Sequence, residues 1–174
     1  MSNSGNLTKT PILEIQEYKK VYKDLDQLIL ILLIIVLPIF GTIYLYQTSG
    51  DFTWDIPKLP LIVGQVLTGA GVGLLIAQYL LFRKRVKTVF ETEELLIKLK
   101  IYAKATRERY VILFVVALIC SAGLLLFGSA IYNAIFATAL FFFSLGKPTP
   151  ERIKSLLKLN KEDAEIIRLA SRPE

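Results

Sequence analysis

The feature that most limits how this chain can fold is residues 110–146, which contain no Asp, Glu, Lys or Arg. At a rise of 1.5 Å per residue, one helix of that length would measure about 55 Å, nearly twice the roughly 30 Å hydrocarbon core of a bilayer. The stretch must therefore fold back on itself. A division near Gly128-Ser129 predicts two membrane spans, residues 110–127 and 130–146, both at the short end of the usual range.

Two further stretches, residues 27–47 and 59–82, are also free of charge. Apolar residues make up 53% of the chain, which is too much for an ordinary soluble domain of 174 residues. We therefore expect an all-α, polytopic integral membrane protein. Its membrane domain, residues 27–146, has four transmembrane helices at 27–47, 59–82, 110–127 and 130–146.

The charged segments between and beside the spans are predicted to form cytoplasmic helices. Residues 1–26 form a tail and an amphipathic helix that starts at Thr10-Pro11, and this helix either lies flat on the headgroups or packs on the cytoplasmic layer. Residues 83–109 form a helix, although 97–101 alternate like a strand, because a lone strand would have no partner. Residues 147–174 form two short helices that begin near Thr149-Pro150 and Asn160.

The two C-terminal helices invite a comparison with a DNA-binding helix-turn-helix. About 25 residues without a third helix offer too little core for such a module, so we predict no nucleic-acid partner. Docking beneath the membrane, on this chain or on a partner, is the favoured interpretation.

Basic residues predict the orientation of the chain. Arg83, Lys84, Arg85 and Lys87 adjoin the second span, and every basic residue except Lys58 falls in segments that four spans place on one side. Because basic residues are enriched in cytoplasmic loops, both termini are expected in the cytoplasm. The basic residues could also bind anionic lipid, but topology alone explains them. No organelle signal is visible, which favours a bacterial inner membrane.

The second span carries small residues at four-residue spacing, at Gly69, Gly73 and Ala77. Such a face lets another helix approach closely, so we expect the closest helix contact here, either within the chain or between two copies. The sequence around Gly71 is not a dinucleotide fingerprint, because no strand precedes it. In the first span, Pro38 predicts a kink, since proline removes a backbone hydrogen bond.

Few polar residues lie within the predicted spans. They either bond one helix to another, which is the favoured interpretation, or line a path for a solute. The candidates for a polar lining are Gln65, Thr68, Gln78, Asn133 and Thr138.

The chemistry available to the chain is limited by what it lacks. There is no histidine, the spans hold no acid, and the single cysteine, Cys120, lies in an apolar stretch. Proton-coupled transport normally uses an ionisable group inside the membrane, and a nucleophile at Ser121, Ser129 or Cys120 would need a base nearby. We predict no catalytic residue, no cofactor and no metal site, and therefore no enzyme.

The leading functional hypothesis is a non-enzymatic membrane subunit that scaffolds, binds or helps assemble a larger membrane complex. The alternative is an oligomeric channel or small-solute transporter that is not coupled to an intramembrane carboxylate. A third class is a regulator that senses a partner through its cytoplasmic helices. The expected partners are the lipid bilayer and another membrane protein or further copies of this chain.

Overall fold

A computed structural model describes residues 11–50, 59–89, 94–146, 149–159 and 161–170. These residues form six α-helices and no strand, which confirms the all-helical prediction, including for residues 97–101. The helices are α1 (Pro11–Ser49), α2 (Leu61–Thr88), α3 (Leu95–Phe127), α4 (Ala130–Gly146), α5 (Pro150–Leu157) and α6 (Lys161–Ala170).

Three helices in the described part of the chain are long and apolar enough to cross a membrane: Gln16–Ser49, Leu61–Thr88 and Leu95–Phe127. They are compatible with an integral membrane protein. The fourth predicted span corresponds to α4, which is shorter at 17 residues. The described residues therefore contain three candidate spans, and the count of four stays a prediction.

The hairpin between α3 and α4 forms where the sequence predicts it. Gly128 takes a left-handed conformation with φ of 59°, and its backbone N–H donates to the carbonyl of Leu124 at 2.9 Å. Glycine adopts this conformation without a steric penalty, which suits it to end a helix. The Gln47 side chain, at the end of α1, donates to the carbonyls of Leu124 and Leu125 at 2.9 and 3.2 Å. The Leu124 carbonyl thus accepts from both Gly128 and Gln47, and the bond to Leu125 satisfies one of the carbonyls that every helix end leaves free.

Residues 83–109, expected as one helix, are divided between two. Residues 83–88 extend α2, and residues 95–109 are the beginning of α3. Thr88 at the end of α2 bonds its hydroxyl to the carbonyl of Arg85 at 2.7 Å, and Glu94 precedes α3 in an extended conformation. A polar residue that bonds back to its own helix competes with helix continuation, which fits an end at this point. Pro38 is exposed inside the unbroken α1, and its kink stays a prediction.

α3 lies at the centre of the fold and contacts α1, α2 and α4. Together these helices enclose the first core, a cluster of buried apolar side chains. It includes Ile29, Val36 and Phe40 of α1, Leu75 of α2, Leu113, Val116, Ala117, Cys120 and Leu124 of α3, and Tyr132, Ile135, Phe136, Ala139 and Phe143 of α4. The rings of Phe40 and Phe136 stack with their centroids 3.6 Å apart, which joins α1 to α4.

A second core lies among the charged segments. Its buried members are Tyr18, Val89, Leu96, Leu99, Tyr102, Ile153, Leu157, Leu159 and Ile167. Thr149 starts α5 as predicted, because its hydroxyl accepts a hydrogen bond from the backbone N–H of Arg152. α5 and α6 thus pack on this chain, and the burial of Tyr18 agrees with the packing alternative for the N-terminal part of α1.

Candidate functional site

The most unusual group between the two cores is the guanidinium of Arg109 on α3. Arg109 follows the second-core residues of α3 and precedes Leu113 of the first core, and only 5% of it is exposed. Its guanidinium carbon lies 5.1 Å from the centre of the Phe82 ring on α2 and 5.8 Å from that of Phe142 on α4. A buried cation over aromatic faces gains up to about 2 kcal/mol from each contact. Arg109 of α3 therefore contacts aromatic rings on both α2 and α4.

Arg109 forms no ion pair with any residue that the structure describes, and its Nε atom has no hydrogen-bond partner among them. Arginine stays protonated in proteins, so this is a buried positive charge balanced by aromatic rings and not by a carboxylate. The sequence alone does not indicate this role, because Arg109 is simply the last charged residue before the apolar stretch 110–146. One feature of the sequence does indicate that Arg109 is buried. It lies at helical spacing from Tyr102, Thr106 and Leu113, and therefore on the same face of α3.

Gln78 on α2, one turn before Phe82, is fully buried. Neither its amide nitrogen nor its amide oxygen has a hydrogen-bond partner in the described residues. An unsatisfied buried amide costs about 1 to 3 kcal/mol. Gln78 and Arg109 are therefore both buried polar groups that the described protein leaves incompletely bonded.

The other predicted lining residues do not converge with Gln78. Thr68 and Thr138 bond their hydroxyls back to Gly64 and Ala134, one turn earlier on their own helices. Gln65 is exposed on α2, and Asn133 is half-buried with an unbonded amide oxygen. Among the described residues, none of these five side chains bonds one helix to another, and a path lined by them stays a prediction.

The close approaches between helices involve tyrosines and glycines on α3 and α4. A methyl group added to Gly123 would overlap the Tyr132 ring, and one added to Gly146 would lie 2.6 Å from the Tyr110 hydroxyl oxygen. Both hydroxyls donate to backbone carbonyls, that of Tyr132 to Gly64 at 3.0 Å and that of Tyr110 to Phe143 at 2.9 Å. Glycine is required here because any side chain would displace the ring.

The face of α2 that carries Gly69, Gly73 and Ala77 makes no close contact at its two glycines with any residue that the structure describes. Gly69 and Gly73 are exposed, and an added methyl group would meet nothing within 4 Å at either position. The opposite face is buried instead, where a methyl group added to Gly71 would lie 3.5 Å from the Ile135 side chain. The internal form of the prediction is therefore wrong, because α2 packs on α3 and α4 through its other side. A contact between two copies stays a prediction.

The predicted basic residues all lie on the exposed surface of α2. Arg83 lies over the Tyr79 ring at 5.1 Å, and Arg85 pairs with Glu108 of α3 at 2.8 Å. Lys84 and Lys87 are exposed on the same helix. Among the described residues, these four side chains form one ion pair between α2 and α3, and all four are exposed.

The structure shows an open groove between α1 and α3, next to the boundary between the cores, with a volume of about 760 Å³. Among the described residues, no cluster of Cys, Asp and Glu side chains could hold a metal ion. No family model, no curated protein and no solved structure matches this chain. Its function must therefore be argued from its own surfaces.

Proposed function

We propose that this protein is a non-enzymatic subunit of a larger membrane assembly. The observation that supports this proposal most directly is the packing of the first core. Leu113, Val116, Ala117 and Cys120 along the central helix are fully buried among apolar neighbours. A single chain therefore offers no polar pathway along α3, which disfavours transport through the monomer.

The outer surface of the fold supports the same proposal. In the most apolar part of α3, 44% of the residues are buried inside the chain. The corresponding share is only 17% in α1 and 22% in α2. The free surface of α2 includes the exposed face of Gly69 and Gly73, with the exposed amide of Gln65 one turn before Gly69. Helices associate in lipid through close backbone packing and polar bonds, and this face supplies both. We assign it as the contact with a partner helix.

The proposed arrangement places four spans in a bacterial inner membrane, with α4 as the fourth and both termini in the cytoplasm. The second core then forms the cytoplasmic layer. Activity of a reporter fused after Glu174 that works only in the exported compartment would contradict this topology.

Affinity purification from native membranes tests the proposed role. A membrane protein in fixed stoichiometry should accompany the wild-type chain and be lost with Gly73→Leu, because leucine prevents close approach of the backbones. Gly41→Leu is the matched control, since Gly41 on α1 also has open space around it. Retention of the partner by Gly73→Leu, or an equal loss in both variants, would refute the assigned face.

A second function, an oligomeric channel, is favoured by one observation. Because Gln65 shares the face of Gly69 and Gly73, assembly of several copies through α2 would bring several Gln65 amides together. A homo-oligomer that conducts ions in liposomes, and loses conduction with Gln65→Leu, would establish this alternative in place of the subunit.

A further inference from the structure

The groove between α1 and α3 is formed by matching faces of the two helices. The residues from each helix follow helical spacing, so each set lies along one side. The lining residues are Val21, Asp24, Leu25 and Leu28 of α1, and Ala103, Lys104, Arg107, Glu108, Val111 and Ile112 of α3.

The chemistry of the groove changes along its length. The end nearer the first core is lined by Leu28, Val111 and Ile112, which are all apolar. The end nearer the second core carries Asp24, Lys104 and Arg107. A ligand that fits must therefore be amphiphilic, with a charged group at one end and a hydrocarbon chain at the other.

The charges at this end are available to a ligand. Glu108 is engaged with Arg85 at 2.8 Å, but Asp24, Lys104 and Arg107 form no ion pair with another residue in the described ranges. Lys104 and Arg107 are one turn apart on α3, so their cationic groups can reach one phosphate. Asp24 faces them from α1 and supplies an acceptor for a cation.

We propose that this groove binds a phospholipid whose headgroup carries a primary ammonium, as in phosphatidylethanolamine. Lys104 and Arg107 bind the phosphate, and Asp24 accepts hydrogen bonds from the ammonium. One acyl chain lies along Leu28, Val111 and Ile112. The groove volume falls within the usual range for binding sites, and the rest of the lipid stays in the bilayer.

The paired charges predict selectivity among headgroups. Phosphatidylcholine has the same phosphate, but its quaternary ammonium has no hydrogen to donate to Asp24. Phosphatidylglycerol has the phosphate without any cation, so Asp24 opposes it. Since the hydrogen bond between the ammonium and Asp24 is charge-assisted, we expect phosphatidylethanolamine to be retained about tenfold more strongly than either.

The test is native mass spectrometry of the full chain, delipidated in detergent and then offered equal amounts of the three phospholipids. The wild type should retain phosphatidylethanolamine preferentially. Asp24→Asn should abolish its preference over phosphatidylglycerol while binding of the phosphate continues. Lys104→Gln with Arg107→Gln should reduce retention of all three lipids about tenfold or more.

Matched controls separate this site from a general effect of surface charge. Lys84→Gln with Lys87→Gln removes the same charge from exposed positions of α2, and Glu17→Gln removes one exposed acid from α1 outside the groove. Both should bind lipid like the wild type. Equal retention of the three lipids by the wild type, or unchanged preference in Asp24→Asn, would overturn the proposal. If the variant with Lys104→Gln and Arg107→Gln aggregates, the single substitution Asp24→Asn still tests the proposal.

Discussion

In the membrane arrangement proposed above, the two cores share helices but are held together by different forces. In the second core, apolar side chains such as Leu99, Ile153 and Leu157 pack among charged segments, where burial removes them from water. The first core lies among helices with apolar outer surfaces, and lipid tails are as apolar as leucine. Its specificity must come from close packing and hydrogen bonds, as between Tyr132 and Gly64. Burial of a leucine is therefore expected to stabilise the second core more than the first.

The largest effect is expected when a buried leucine in each core is replaced by alanine, because the loss in free energy of unfolding should differ between the two cores. Leu157→Ala should cost about 2 to 5 kcal/mol, because it both loses transfer from water and leaves a cavity. Leu113→Ala, equally buried, should cost less, since an unfolded helix in lipid still has an apolar environment. Limited proteolysis of α5 and α6 reports the first change, and unfolding in denaturing detergent reports the second.

Leu169→Ala is the control for Leu157→Ala, because Leu169 on α6 is 44% exposed. It should leave proteolysis nearly unchanged. If Leu113→Ala proves as destabilising as Leu157→Ala, packing alone accounts for both cores and the proposed difference disappears.

A smaller loss of stability is expected when the close packing of the first core is disturbed at one glycine. Gly123→Ala should destabilise the protein by roughly 1 to 3 kcal/mol, because the added methyl group displaces the Tyr132 ring and strains its bond to Gly64. Thermal unfolding in detergent measures the change. Gly73→Ala makes the same substitution in open space, where the higher helix propensity of alanine should leave the monomer as stable as the wild type or slightly more stable. An equal loss of stability in both variants would show that overlap with the Tyr132 ring is not the cause.

The smallest effect is expected at the boundary between the cores. Arg109→Lys keeps the charge but loses the planar group that faces Phe82 and Phe142, so we expect a loss of about 1 kcal/mol. The midpoint of thermal unfolding measures it, with Arg168→Lys on the exposed surface of α6 as the control. A variant as stable as the control would mean that the aromatic contacts add nothing beyond charge.

The sequence by itself determined the helical class, the apolar segments and the turn at Gly128. These depend on local chemistry, because a backbone in lipid must bond within its own helix and glycine readily takes the left-handed conformation. The start of α5 at Thr149 was predictable for the same reason. The division of residues 83–109 between α2 and α3 was not, since both parts favour a helix.

Only the tertiary structure decided which helix faces meet. Gly69 and Gly73 have the spacing of a packing face, yet the structure places Gly123 and Gly146 against tyrosines and leaves the α2 face open. The burial of Arg109 between two phenylalanine rings was equally hidden, because Phe82, Arg109 and Phe142 lie on three different helices. A small residue permits close approach but does not select its partner. That selection depends on side chains far apart in the sequence.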